Sequence, residues 1–285
     1  MRIATPTRWL TVLATLLLLC GCRGAYFHAL NARAPERAGE RVVYDPREDL
    51  SLDLYRTDTP NAPVVVFFYG GSWRNGRREE YRFVAAALAE RGVLTLVPDY
   101  RKAPAHPFPD FMQDAARAVA WARAHATRYG GDPERIFVIG HSAGAHIAAL
   151  LASDARYLAA EHLQPRDLAG VVGLSGPYDF LPIRSAEVRE VFDDETRWPA
   201  SQPVNAVDGD EPPFLLVHGL KDRLVEPRNS ESLARRLRAN GIPARLHELP
   251  DAGHVGTLVD FAKPGSPLLR EAMQWMEEQA ATKKR

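Results

Sequence analysis

Arg135-Ile136-Phe137-Val138-Ile139 runs directly into Gly140-His141-Ser142-Ala143-Gly144, and Ala145-His146-Ile147-Ala148-Ala149-Leu150-Leu151 follows. The first five residues have the apolar, β-branched character of a buried strand, and the last seven that of a small-residue-rich helix. Between them a serine is flanked on both sides by glycine. A strand-to-helix turn this tight needs glycines, because the strand and helix approach closely around a strained central residue. Such a turn lifts the Ser142 hydroxyl above the sheet at a helix N-terminus, where the dipole favours developing negative charge. A plain glycine turn with a serine N-cap would use the same residues. The order strand, turn, helix favours the nucleophile.

The chain on either side repeats that alternation. Leu50–Tyr55 (LSLDLY) alternates at period two, as a half-buried edge strand would, and Pro63–Phe68 (PVVVFF) reads as a strand buried on both faces. A helical pattern over Arg77–Arg91 stops at Gly92; Val93–Val97 is a strand; Pro109–Tyr129 is a long amphipathic helix closed by Gly130-Gly131. Strands over Leu168–Leu174, Pro213–Val217 and Ala244–Leu249 and helices over Arg228–Asn240 and Pro267–Gln279 complete the series. Alternating strands and helices imply an α/β fold with a mostly parallel central sheet and helices on both faces. The opening strands, with no helix between them, imply an antiparallel edge. The stretch 182–211 is long for a connection and carries Ile183, Val188, Val191, Phe192 and Trp198. It reads as a small cap over the active end of the sheet.

Composition narrows the function. Lysine and arginine total 36 and so do aspartate and glutamate, which removes the electrostatic case for a nucleic-acid partner. The only cysteines are Cys20 and Cys22, so the remaining chain offers no disulfide, thiolate metal site or cysteine nucleophile. Neither a metal nor an organic cofactor is expected.

A serine needs a histidine base and an acid to hold that base. On this kind of elbow the order is serine, acid, histidine, with the later members on loops after later strands. Asp222, in His218-Gly219-Leu220-Lys221-Asp222, follows the strand Pro213–Val217; His254, in Asp251-Ala252-Gly253-His254, follows the strand Ala244–Leu249. Both lie at carboxyl ends of strands, where ligands collect in open α/β sheets. Among the rivals, His141 reads as structural filling that points away, His146 as a buried helix residue and His218 as loop packing. His106 and His247 have no acid in register. Asp179, Asp251, Asp208 and Asp210 compete less well as the acid. Tyr69-Gly70-Gly71-Ser72-Trp73 follows the PVVVFF strand, and its glycine pair frees backbone N–H groups to face a developing oxyanion. Gly71, Ser72 and Ala143 are the expected donors.

With those pieces the chain resembles the α/β-hydrolase esterase and lipase group that includes hormone-sensitive-lipase-like carboxylesterases, kynurenine formamidases and prenylcysteine methylesterases. YGGSW, Asp99–Asp114, Tyr129–His146, HGLKD and DAGH carry the likeness, over about 42–280. Tyr69 stands where the group usually has histidine, and Ala105 follows Pro104 where a glutamate is common. The resemblance implies an α/β-hydrolase fold over 41–285 and a Ser142-His254-Asp222 triad that cleaves small or medium carboxylic esters through an acyl-enzyme. Asp99 and Arg101 would support the oxyanion loop. An arylformamidase-like amidase is the alternative within enzymes, and an inert envelope scaffold the alternative outside them.

At the N-terminus, Arg2 and Arg8 precede an apolar run from Trp9 to Leu19 that is short for a membrane span. Leu19-Cys20-Gly21-Cys22 resembles a bacterial lipobox, which implies a signal peptide over 1–21 and lipidation of Cys22. A small-molecule ester substrate and a lipid anchor in the cell envelope are then the expected partners, with Arg23 resembling cargo of the outer membrane. Secretion without an anchor is the alternative. Residues 22–40 read as a tether.

Overall fold

A computed structural model describes residues 24–283, so the lipobox cysteine and the expected signal peptide lie outside the described residues. Eight strands form one sheet: β1 (Glu40–Asp45), β2 (Leu50–Tyr55), β3 (Ala62–Phe68), β4 (Leu94–Pro98), β5 (Gly131–His141), β6 (Gly170–Leu174), β7 (Phe214–Gly219) and β8 (Ala244–Leu249). Their spatial order is β1-β2-β4-β3-β5-β6-β7-β8. β1 and β2 pair antiparallel, as does β2 with β4, and every later pairing is parallel. The PVVVFF run is β3, at the centre. Val64 through Phe68 are wholly removed from solvent, as a strand covered on both faces must be.

Around the sheet lie α1 (24–32), α2 (Arg82–Ala89), α3 (Asp110–His125), α4 (Ala143–Ser153), α5 (Ala155–Ala159), α6 (Ala186–Val191), α7 (Pro203–Ala206), α8 (Arg228–Ala239), α9 (His254–Ala262) and α10 (Pro267–Lys283). The chain leaves β3 for β4 on one side and returns to β5 on the other. The crevice between the carboxyl ends of β3 and β5 is therefore a topological switch point, the place where such sheets bind ligands. The glycine-rich loop after β3 and the serine turn after β5 both emerge there.

Three segments differ from the sequence-based expectation. Leu50–Tyr55 is not the edge: β1 covers it, and all six residues are buried, Asp53 with its charge met by Arg78 at 2.8 Å. From residue 24 onward the expected tether is a helix docked on the domain. Phe27 of α1 packs 5.0 Å from the Tyr81 ring, Asn31 Nδ2 donates to the Glu79 carbonyl, and the Phe83 N–H donates to Asn31 Oδ1. The stretch 182–211 forms α6, α7 and two 3₁₀ turns, with Phe192 wedged 5.0 Å from Trp73 and 5.4 Å from Phe108. It packs beside the glycine loop through Trp73 and through the Arg74–Glu190 ion pair. None of its residues lines the cavity at Ser142.

Candidate active site

Ser142 sits between β5 and α4 with φ 55° and ψ −122°, a left-handed backbone that is costly for a side-chain-bearing residue. Its N–H donates to the Leu174 carbonyl and its own carbonyl accepts the His146 N–H, so both ends of the strained residue are fixed. Glycine at 144 is dictated by contact. A Cβ there would lie 2.0 Å from the Phe68 carbonyl oxygen, because α4 crosses β3 at its carboxyl end.

His254 opens α9 after Gly253, and its Nε2 lies 2.8 Å from Ser142 Oγ. Its Nδ1 lies 2.7 Å from Asp222 Oδ2. A carboxylate can only accept, so Nδ1 carries the proton and Nε2 is left to accept from the serine hydroxyl. Asp222 Oδ1 accepts the N–H groups of Leu224 and Val225, each at 2.9 Å. Burial pushes the Asp222 carboxyl up. Hydrogen bonds from His218, His254 and the Val225 N–H outweigh that and hold it well below the usual carboxylate range. The acid is thus charged when the histidine needs it. The whole set is screened from bulk water: Ser142 and Asp222 are buried, and the His254 side chain is 12% exposed.

The glycine loop is pinned by an aromatic stack. Tyr69 lies between Tyr81 and Tyr100, at ring separations of 5.4 and 4.7 Å. Tyr100 OH donates to the Tyr69 carbonyl, Tyr81 OH to the Gly70 carbonyl, and Tyr69 OH to Asp99 Oδ1. Asp99 is held in turn by Arg78. Gly71, at φ 140°, takes a conformation other residues avoid. Its carbonyl accepts from the N–H groups of Arg74 and Asn75. Among the described residues the N–H groups of Gly71 and Ser72 make no hydrogen bond, and the Ala143 N–H heads α4, where no intrahelical partner exists. Gly71, Ser72, Ser142 and His254 line one cavity of about 310 Å³.

The rival residues have other places. Asp179 accepts from Ser232 Oγ, Asp251 forms an exposed pair with Lys221, and His106 pairs with Asp110. Arg101 braces the chain after β4 through Asp114, so its support for the loop is indirect, whereas that of Asp99 runs through Tyr69. His146 is buried. It accepts from Trp73 Nε1 and donates to the Ser201 carbonyl, and burial pushes it down to about 4.

One further histidine faces the site against expectation, and another packs the loop that carries the acid. His141 faces the cavity and does not point away. Its Nε2 donates to the His254 carbonyl at 3.1 Å, while its buried Nδ1 has no partner among the described residues. Burial, then the nearby His254, push it down to about 3. His218 is fully buried: Nε2 donates to the Val225 carbonyl at 2.9 Å and lies 3.4 Å from Asp222 Oδ2, and Nδ1 accepts from Ser230 Oγ at 2.7 Å. It steadies the acid's loop. Its position just before Asp222 is what reads as loop packing in the sequence, and nothing there marks Ser230.

A serine hydroxyl in contact with a histidine, a carboxylate holding that histidine and unpaired N–H groups alongside make an arrangement chemically capable of acyl transfer. Among the described residues no three or more His, Cys, Asp or Glu side chains gather as a metal site.

The profile of the BD-FAE family matches residues 52–237. Esterase LipC of Mycobacterium tuberculosis is 36% identical over 254 residues, which cover 79% of this chain and 61% of that protein. Isoprenylcysteine alpha-carbonyl methylesterase ICME of Arabidopsis thaliana is 30% identical over 268 residues, covering 84% of this chain and 62% of that one. The chain thus spans less than two thirds of the length of these curated relatives. Among solved structures, a truncated carbohydrate esterase from gut microbiota superposes with a TM-score of 0.74 at 20% identity, covering 87% of this chain and 99% of that one. The butyrate-bound esterase Est2 of Thermogutta terrifontis gives 0.68 at 23%, covering 85% and 92%. At those identities the two structures speak to the fold.

Proposed function

This chain belongs to the BD-FAE family, on an α/β-hydrolase fold, and from that premise we propose that it is a serine hydrolase of carboxylic esters. The observation that carries the reading is the unbroken contact from Ser142 Oγ through His254 to Asp222, at 2.8 and 2.7 Å. The names of LipC and ICME, an esterase and a methylesterase, support the same chemistry.

In the proposed reaction Ser142 Oγ attacks the ester carbonyl while His254 Nε2 takes the hydroxyl proton. The carbonyl π pair moves onto oxygen, where the N–H groups of Gly71, Ser72 and Ala143 stabilise it. Collapse breaks the acyl–alkoxy bond, and His254 gives its proton to the leaving alcohol. Water then enters. His254 removes its proton as the water oxygen bonds to the acyl carbon; the second collapse breaks the acyl–Oγ bond, His254 returns the proton to Ser142 Oγ, and the acid is released. Throughout, Asp222 holds the Nδ1–H and stabilises the imidazolium.

The test is a matched pair of substrates, p-nitrophenyl butyrate against butyryl-p-nitroanilide and an N-formyl arylamine. Ester turnover exceeding that of both amides by a hundredfold or more supports the reading. Faster formyl-amide turnover replaces it with an amidase.

We also propose that Cys22 is lipidated and that the protein is held at a membrane of the bacterial envelope. The supporting observation is the Leu19-Cys20-Gly21-Cys22 sequence after an apolar run. Expressed in a bacterium, the native chain partitions into the membrane fraction and Cys22→Ser does not. A Cys22→Ser chain retained through a carbonate wash contradicts lipid anchoring.

A further inference from the structure

Among the described residues five large apolar side chains are exposed: Tyr26, Val43, Leu220, Leu224 and Val255, with Leu224 the extreme at 73%. Three of them, Tyr26, Leu224 and Val255, line the one cavity that also holds Ser142 and His254. Exposed apolar side chains scattered singly need no explanation, but a set gathered around a nucleophile marks a surface that meets an apolar ligand. The walls differ in kind. The loop 70–72 presents mainly backbone, whereas Tyr26, Phe27, Tyr81, Leu224, Val255 and Leu258 present rings and branched chains.

Two of those wall residues come from α1. That helix is docked by a built contact: Asn31 exchanges hydrogen bonds with Glu79 and Phe83, the Arg82 guanidinium reaches the Asn31 and Pro35 carbonyls, and Phe27 packs on Tyr81. Tyr81 itself donates to the Gly70 carbonyl, so α1 leans on a residue that shapes the glycine loop. Tyr26 stands edge-on to Phe27 at 5.9 Å, reaching the cavity while 45% exposed. α1 precedes the matched stretch 52–237.

We propose that α1, through Tyr26 and Phe27 and together with Leu224 and Val255, forms a subsite for the hydrocarbon portion of the ester, so that this N-terminal helix sets chain-length preference. The subsite rests on the ester-hydrolase reading above. The expected 182–211 cap does not serve this purpose, since it contributes nothing to the cavity lining.

The experiment measures kcat/KM for the full chain and its variants on two series. One is p-nitrophenyl acetate, butyrate and hexanoate; the other is ethyl, butyl and hexyl acetate. Each methylene seated on an apolar wall contributes up to about fourfold. Tyr26→Ala is therefore expected to lower the longest member of one series about tenfold and its shortest member only about twofold, with Tyr26→Phe restoring the longer-chain rate. Loss confined to the acyl series places the acyl chain on α1, and loss confined to the acetates places the alcohol there. Asn31→Ala, which frees α1 without touching the cavity, is expected to reproduce the same length dependence. Val43→Ala, an equally exposed change on the far edge of the sheet, leaves every rate as it was. A Tyr26→Ala profile that is flat, or that falls equally at all lengths, overturns the subsite while leaving the hydrolase reading intact. A wild-type protein that turns over no member of either series overturns both.

Discussion

His254 Nδ1 lies 2.7 Å from Asp222 Oδ2, while the other oxygen of the same carboxylate accepts two backbone N–H groups at 2.9 Å. The carboxylate cannot swing away from the histidine without giving up both backbone bonds. Between these residues the chain runs through α8 and β8, and the Lys221 N–H bond to the Ala252 carbonyl ties the two loops together.

Asp222→Asn removes the charge and can offer His254 an N–H where it needs an acceptor. By analogy with the serine-protease triad the expected loss in kcat is about 10⁴. Asp179→Asn, whose carboxylate accepts from Ser232 Oγ, is expected to keep kcat within about threefold of wild type. Initial rates on p-nitrophenyl butyrate decide it, and the reverse ranking would move the acid to the loop after β6.

Gly144→Ala tests the packing that creates the elbow. The new Cβ would fall 2.0 Å from the Phe68 carbonyl oxygen and 2.7 Å from that of Tyr69, both backbone atoms of the central strand and its loop. Overpacking against backbone is expected to cost about 3 kcal/mol or more. Gly253→Ala, with its nearest neighbour at 3.7 Å, should cost under about 1 kcal/mol. Urea unfolding of both variants reads the difference directly; similar midpoints would mean α4 does not press on β3 as described.

Stability should fall in acid through buried histidines. His146 and His141 are pushed down by burial, to about 4 and about 3 from the ordinary 6.5. Their folded values lie below the unfolded ones, so the unfolded chain binds the proton first. The stability this represents is intact above about pH 6.5 and is lost as pH falls toward those folded values. Each histidine contributes a slope of up to about 1.4 kcal/mol per pH unit. In urea titrations between pH 6 and 4.5, His146→Gln should show the shallower dependence, whatever its absolute stability. Parallel slopes would mean His146 is not held neutral by the fold.

Much of this site was legible because its signals are local. The nucleophile turn is strand, glycine, serine, glycine, helix in contiguous residues. Asp222 and His254 each follow a strand whose apolar pattern is unmistakable. What was misread depends on partners distant in sequence. LSLDLY alternates, yet Ser51 and Asp53 are buried: β1 pairs alongside the strand, Arg41 donates to Ser51 Oγ, and Arg78 meets the Asp53 charge. The docking of α1 rests on Asn31, Arg82 and Tyr81, residues whose meaning appears only when they meet. His141 has the ordinary look of an elbow residue, and only the returning His254 loop gives it a carbonyl to hold. The 182–211 insertion was recognisable as an insertion; which wall of the molecule it would join was not written in its own residues.

The central claim is that Ser142, activated by His254, is the nucleophile. The most direct measurement is the mass of the protein after brief exposure to a fluorophosphonate, followed by peptide mapping. One phosphonyl adduct per chain on the peptide bearing Ser142 is predicted, absent in Ser142→Ala and formed at least a hundredfold more slowly in His254→Ala. An adduct on any other residue, or full labelling that survives Ser142→Ala, would contradict the account.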